Sequence, residues 1–187
     1  MQTQSINDIR QRLLSILKTR SYKKQRVTLS SGKTSDFYLD ARRSSLHAAG
    51  AYCIGRLMLD AIKNDRADAI GGLTLGADPI IGATIALSAG QKQPLDGFIV
   101  RKEPKKHGMQ RLIEGLELTA ESRVVIVDDV VTTGSSTVAA INAVKETGAT
   151  IVRVLCVVDR NEGGRQAIAA ACGRKLDALF TLEDFQP

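Results

Sequence analysis

Two kinds of apolar run alternate along this chain, one spaced at helical intervals and one continuous. Ile6, Ile9, Leu13, Ile16 and Leu17 fall on one face of a helix that Ser5 and Asp8 can open as a capping box, and the pattern carries it to about Lys18. Leu46, Ile54, Leu57, Met58, Ala61 and Ile62 repeat that spacing, with Ser44 as cap, His47 solvated in the first turn and an end near Asn64. PIIGATIALSAG, from Pro79, gives a third helix, and VAAINAVKETG, closed by Lys145 and Gly148, a fourth. Between them lie ADAIGG, DGFIV (Asp96 to Val100), Val124 to Val127, and TIVRVLCVVD from Thr150, none with polar alternation. Strands of that kind are buried on both faces, as in the interior of a parallel sheet.

Such alternation predicts an α/β fold of three layers, a mostly parallel sheet of about five strands flanked by helices. Arg165 to Ala171 reads as a covering helix, and LDALFTLEDF as a short terminal strand or turn. VTLSSGKTSDFYLDARR consists of two short β-like runs with Gly32 suited to the turn between them, a small hairpin outside the sheet. The 187 residues, 43% of them apolar, suffice for one well-buried domain, with a helix and hood over about residues 1–43 and a core over about 44–187.

The chemistry concentrates in Arg123 to Ser136, RVVIVDDVVTTGSS. The apolar run delivers Asp128 and Asp129 to the carboxyl end of a strand, the edge where open α/β sheets bind ligands. Val130, Val131, Thr132, Thr133, Gly134, Ser135 and Ser136 then lead into a helix, and such a loop can aim backbone N–H groups and hydroxyls at one anion, phosphate above all. The carboxylates would repel a phosphate they touched, so they suit neutral hydroxyls or a Mg²⁺ ion. A sugar phosphate satisfies both halves. A second Gly-rich turn, GLTLGADP, brings Thr74, Leu75, Gly76, Ala77 and Asp78 to the start of another helix.

Net charge changes the picture in one respect. The formal +6 points to anionic partners, and its densest cluster, RKEPKKHGMQR, has no aromatic residues interleaved for stacking on bases. Arg101, Lys102, Lys105, Lys106, His107 and Arg111 repel one another there, so the segment through Gly115 reads as a substrate loop that orders on a polyanion. Cys53, Cys156 and Cys172 are widely spaced with apolar neighbours, which suggests neither disulfides nor a metal site but reduced, buried thiols. No apolar run approaches the ~18 residues of a membrane span, and no signal peptide is evident, so a cytoplasmic protein is expected.

VVIVDDVVTTGSS resembles the phosphoribosyl pyrophosphate (PRPP) signature of type I phosphoribosyltransferases. The resemblance implies that Asp128 and Asp129 hold the ribose hydroxyls, that the loop from Val130 to Ser136 cradles the 5-phosphate, and that Leu75 and Gly76 approach the pyrophosphate. Three further segments resemble the orotate phosphoribosyltransferases: LSSGKTSDFY the hood over the base, RKEPKKHG the catalytic loop, and DRNEGG the segment whose Arg contacts orotate. On that resemblance Arg101, Lys102, Lys105 and His107, with Asp129, are catalytic; Thr132, Arg160, Phe37 and Tyr38 meet orotate. It further implies Mg²⁺ carried mainly by PRPP, and a homodimer with shared active sites. The chain departs from the family at Ser30, where a lysine is usual, and Lys33, Arg42 or Arg43 could supply the missing charge. A phosphoribosyltransferase for uracil or a purine would keep the cradle but change hood and loop. A PRPP-sensing nucleic-acid regulator would need a basic face or an added module that the chain does not display.

Overall fold

The computed structural model describes residues 4–28, 34–103 and 112–185. Helix α1 (Ile6–Ile16) opens on the expected capping box: the Ser5 hydroxyl accepts from the Asp8 N–H, and the Asp8 carboxylate accepts from the Ser5 N–H. A π-helical turn, Leu17–Ser21, ends it. The hood follows as two strand pairs of two residues each. β1 (Tyr22–Lys23) lies antiparallel to β4 (Tyr38–Leu39), and β2 (Val27–Thr28) antiparallel to β3 (Thr34–Ser35).

The core alternates β5 (Ala69–Leu73), α4 (Asp78–Ser88), β6 (Asp96–Val100), β7 (Ile113–Gly115), β8 (Arg123–Val131), α5 (Ser135–Lys145), β9 (Thr150–Asp159), α6 (Gly164–Cys172) and β10 (Leu176–Thr181). These strands form one sheet in the order β10-β9-β8-β5-β6-β7, parallel throughout except for β7 at the edge. Among the described residues the sheet therefore has six strands rather than about five. The extra one, β7, falls inside the segment expected to be loop up to Gly115, where Ile113 pairs with Val100.

Two apolar layers flank the sheet, and β8 shows why its apolar run needs no alternation. Val125 and Val127 face one layer, with Ile9, Leu13, Ile54, Met58 and Ile80 from α1, α3 (Ala48–Ile62) and α4. Val124 and Ile126 face the other, with Ile141 and Val144 of α5 and Ile168 of α6. At about 25 cal/mol per Å² of apolar surface, burial on both faces is what keeps β8 in the centre.

Strand order reverses between β5 and β8. The helix after β5 packs on one face and the helix after β8 on the other, so the connecting loops diverge and leave a crevice at the carboxyl edge. Two expectations change here. β8 does not stop before the carboxylates; pairing with β9 continues through Asp128, Val130 and Val131. Ser44 does not cap α3. It lies in a separate short helix, α2 (Arg42–Ser45), fully buried, its hydroxyl 2.6 Å from that of Ser21, while His47 is the N-cap residue and Leu46 stands 74% exposed. His47 is half-buried rather than solvated, with a buried Nδ1 that has no hydrogen-bond partner among the described residues. Cys53 and Cys156 are buried free thiols as expected, whereas Cys172 is half-buried. Among the described residues no helix is long and apolar enough to cross a membrane.

Candidate active site

The crevice holds a cavity of about 490 Å³. Its wall includes the expected Tyr38, Thr74, Leu75, Gly76, Lys102, Asp128, Asp129, Val130, Thr132, Ser136 and Arg160. Sequence reasoning missed Leu39, Asp40, Ala41 and Leu73, and left Arg42 as one of three options. Phe37, Arg101, Val131, Thr133, Gly134 and Ser135 are not on the wall. Lys105, His107, Ser30 and Lys33 lie outside the described residues.

Each wall residue is placed by an identifiable local cause. Gly134 takes φ +80°, a left-handed turn that swings the chain from β8 into α5. No side chain caps α5, so the first-turn N–H groups are left for an anion at the positive end of the helix dipole. Gly164 packs against this loop: its N–H donates to the Thr132 carbonyl at 2.9 Å, and a Cβ there would come within 2.3 Å of Val131 Cγ1 and 2.7 Å of the Thr132 oxygen. The two glycines of NEGG thus let α6 start directly against the cradle. Across the crevice, Thr74 Oγ1 donates to Asp78 Oδ2 at 2.8 Å, tying the loop after β5 to the first turn of α4.

The acidic pair divides its labour. Asp128 is 5% exposed; its Oδ2 accepts from Thr137 Oγ1 at 2.7 Å and its Oδ1 from the Asp129 N–H at 3.0 Å. Burial pushes its carboxyl up to about 6, against the Thr137 hydrogen bond, which favours the anion. Asp129 accepts from the Val130 N–H at 2.7 Å, and burial raises its carboxyl too, opposed by that bond and by the charge of Arg42. Its carboxylate lies so near Gly76 that a Cβ on that glycine would be 2.6 Å from Oδ1, and a larger residue there would push the carboxylate aside.

Cations come from three directions. Arg42 forks onto Asp40, Nε to Oδ1 at 2.9 Å and Nη2 to Oδ2 at 3.3 Å, and the pair lines the cavity below the hood. Of the three residues that could offset Ser30, Arg42 is the one whose position on the wall is established; Arg43 is exposed and its carbonyl accepts from Arg20. Lys102 reaches the wall, but Arg101 turns away, 3.5 Å from Glu114 Oε1 and donating to the Glu103 carbonyl. Arg160, 9% exposed, follows β9; its N–H donates to the Val131 carbonyl at 2.9 Å, its Nη2 meets Glu162 Oε1 at 2.7 Å, and its Nε is buried without a hydrogen-bond partner among the described residues. Phe37, expected as a wall beside the base, lies under the Arg160 guanidinium, 4.7 Å from carbon to ring centroid.

The cavity thus offers an anion cradle, carboxylate acceptors and a buried guanidinium. Comparison with known proteins agrees with that chemistry. Residues 58–172 match the family described as phosphoribosyl transferase domain. An orotate phosphoribosyltransferase of Rhodopseudomonas palustris (strain TIE-1) is 43% identical over 179 residues, 94% of this chain and 95% of that one. The crystal structure of Mycobacterium tuberculosis H37Rv orotate phosphoribosyltransferase with Fe(III) dicitrate superposes with a TM-score of 0.83 at 42% identity, over 96% of this chain and 99% of that one. The same enzyme in complex with PRPP gives 0.76 at 34% identity, over 96% and 92%.

Proposed function

Because the chain belongs to the phosphoribosyl transferase family and, within it, to the orotate phosphoribosyltransferases, we propose that it transfers the 5-phosphoribosyl group of PRPP to N1 of orotate in a Mg²⁺-dependent reaction. Orotidine 5′-monophosphate and pyrophosphate are the products, in a step of pyrimidine nucleotide synthesis carried out in the cytoplasm. The observation that carries the base assignment is Arg160: a buried guanidinium whose Nε has no hydrogen-bond partner among the described residues, on the wall of the cavity that also holds Asp129 and the start of α5. A neutral base offers this cation only uncharged acceptors, whereas a base bearing a carboxylate adds a charge-assisted pair to the one with Glu162.

In the transfer, the bond from the anomeric carbon to the pyrophosphate oxygen breaks and the bond to N1 forms. Positive charge develops on the ribose and negative charge on the leaving group. The first turn of α5, with the hydroxyls of Thr132 and Ser136, binds the 5-phosphate and fixes the ribose, while Asp129, with Asp128 behind it, accepts hydrogen bonds from the ribose hydroxyls. The loop at Leu75 and Gly76, together with Lys102, Lys105 and His107, stabilises the departing pyrophosphate. Orotate arrives as an anion, so no strong general base is needed. Among the described residues no three His, Cys, Asp or Glu side chains converge as a metal cage, and Asp128 and Asp129 are the carboxylates that would hold a Mg²⁺ ion brought mainly by PRPP. Bound there, it would neutralise charge on the pyrophosphate.

The test is to incubate the enzyme with PRPP, Mg²⁺ and each base in turn, following the base's absorbance. Orotate should be consumed and uracil, adenine and guanine should not; a chelator should stop the reaction. Consumption of uracil at the orotate rate would overturn the base assignment.

A further inference from the structure

The Arg160 guanidinium sits on the outermost ring of an aromatic stack. Its carbon lies 4.7 Å from the Phe37 centroid; Phe37 stacks on Tyr22 with centroids 5.7 Å apart and 26° between planes; Tyr22 tilts against Phe185 at 5.4 Å. The stack joins three parts of the chain that are remote in sequence. Tyr22 and Phe37 belong to the hood, Arg160 follows strand β9, and Phe185, 5% exposed, closes the C-terminal 3₁₀ turn Leu182–Phe185.

We propose that Phe37 is a positioning residue for base recognition: its ring face, backed by Tyr22 and Phe185, holds the plane of the Arg160 guanidinium so that the cation is oriented before a carboxylated base arrives. This rests on the reading of Arg160 as the carboxylate's partner. An arginine has several rotatable bonds, and a recognition site that must freeze them on binding loses affinity. Here two restraints act beforehand. Glu162 holds one edge at Nη2, but that carboxylate is 40% exposed and the contact is therefore screened by water. The ring contact is shielded, since Arg160 is 8% exposed at its side chain, and a desolvated cation–ring contact is the stronger kind. Phe37 itself is absent from the cavity wall, so it acts on the base through Arg160. Leucine at this position would fill much of the space without offering a ring face.

The proposal is tested by a double-mutant cycle on Phe37→Leu and Arg160→Ala, reading orotate Kd by calorimetry and the KM of each substrate. Phe37→Leu should weaken orotate binding on the order of tenfold with the PRPP KM unchanged, Phe37→Tyr should restore it, and adding Phe37→Leu to Arg160→Ala should cost nothing further. Equal losses in both backgrounds, or a parallel rise in both KM values, would show a general structural role and overturn the proposal. If Phe37→Leu lowers the melting temperature sharply, Tyr22→Leu, one ring further back, takes its place in the same cycle with the same criteria. Arg160→Ala binding orotate as well as the unaltered enzyme would instead overturn the underlying reading of Arg160. That failure is distinguishable because it appears in the single variant before any cycle is formed.

Discussion

Asp128 illustrates how a residue can be costly to the fold and useful to the site. Its carboxyl titrates at about 6 in the folded chain, against an ordinary 3.8. The sign follows from linkage: a group whose folded value is raised binds protons more tightly when folded, so its contribution to stability is full below 3.8 and is lost as pH rises through about 6. The difference amounts to roughly 3 kcal/mol at most. Asp129, also raised by burial, acts in the same direction. Asp128→Asn should therefore flatten the fall in melting temperature between about pH 4 and about pH 7, while PRPP affinity drops because charge-assisted acceptance is gone. Calorimetry over that range checks the first part, and an unaltered slope would refute it. Thr137, beyond the segment expected to bind ligand, keeps the anion accessible by donating to it. No composition or spacing signal marks that role; a buried threonine one turn into a helix reads as packing.

At the scale of elements, the site depends on how closely the start of α6 approaches the loop after β8. Gly164 makes that approach possible, and its substitution by alanine places a methyl group against backbone that cannot move freely, the Thr132 carbonyl at 2.7 Å, and against Val131 Cγ1 at 2.3 Å. Gly164→Ala should cost about 1–3 kcal/mol of stability by overpacking and raise the PRPP KM more than the orotate KM, because the displaced loop is the one proposed to meet the 5-phosphate. Denaturant unfolding and substrate titrations check both parts. If stability falls while both KM values hold, the cradle does not depend on α6. Helix α1 carries a related lesson. It was grouped with the hood by its place in sequence, yet Ile9, Leu13 and Leu17 are fully buried in the layer that covers β8 and β9. Its removal would uncover the sheet.

For the whole molecule, the proposal is a homodimer in which the segment containing Lys105 serves the partner's cavity. Lys105→Ala spoils the loop and Asp129→Asn spoils the cradle, so each alone should be nearly inactive. Refolding the two together forms mixed dimers, in which the intact cradle of one chain meets the intact loop of the other. Random pairing makes about half the dimers mixed and restores about a quarter of all sites. If the loop served its own chain, every cradle would keep a defect and no activity would return. Mass-tagged subunits verify that exchange took place.

By itself the sequence determined the elements and the chemistry each carries. Continuous apolar runs leave parallel strands little alternative, and the cradle's glycine and hydroxyls are contiguous, so their joint purpose can be read along one segment. The carboxyl edge and the acidic pair were therefore legible in the sequence, whereas the DRNEGG arginine was marked by the family resemblance. Tertiary structure alone decided what depends on contacts between segments remote in sequence. It brought Arg42 and Asp40 onto the wall, turned Arg101 toward Glu114, and placed Phe37 beneath Arg160. It also carried β8 past its carboxylates, because β9 continues to pair with it there. Periodicity registers which face of an element is apolar, but a polar side chain's partner is fixed by the strand order that brings β4, β5, β8 and β9 around one crevice, and that order is a property of the packed sheet and hood rather than of any single run of residues.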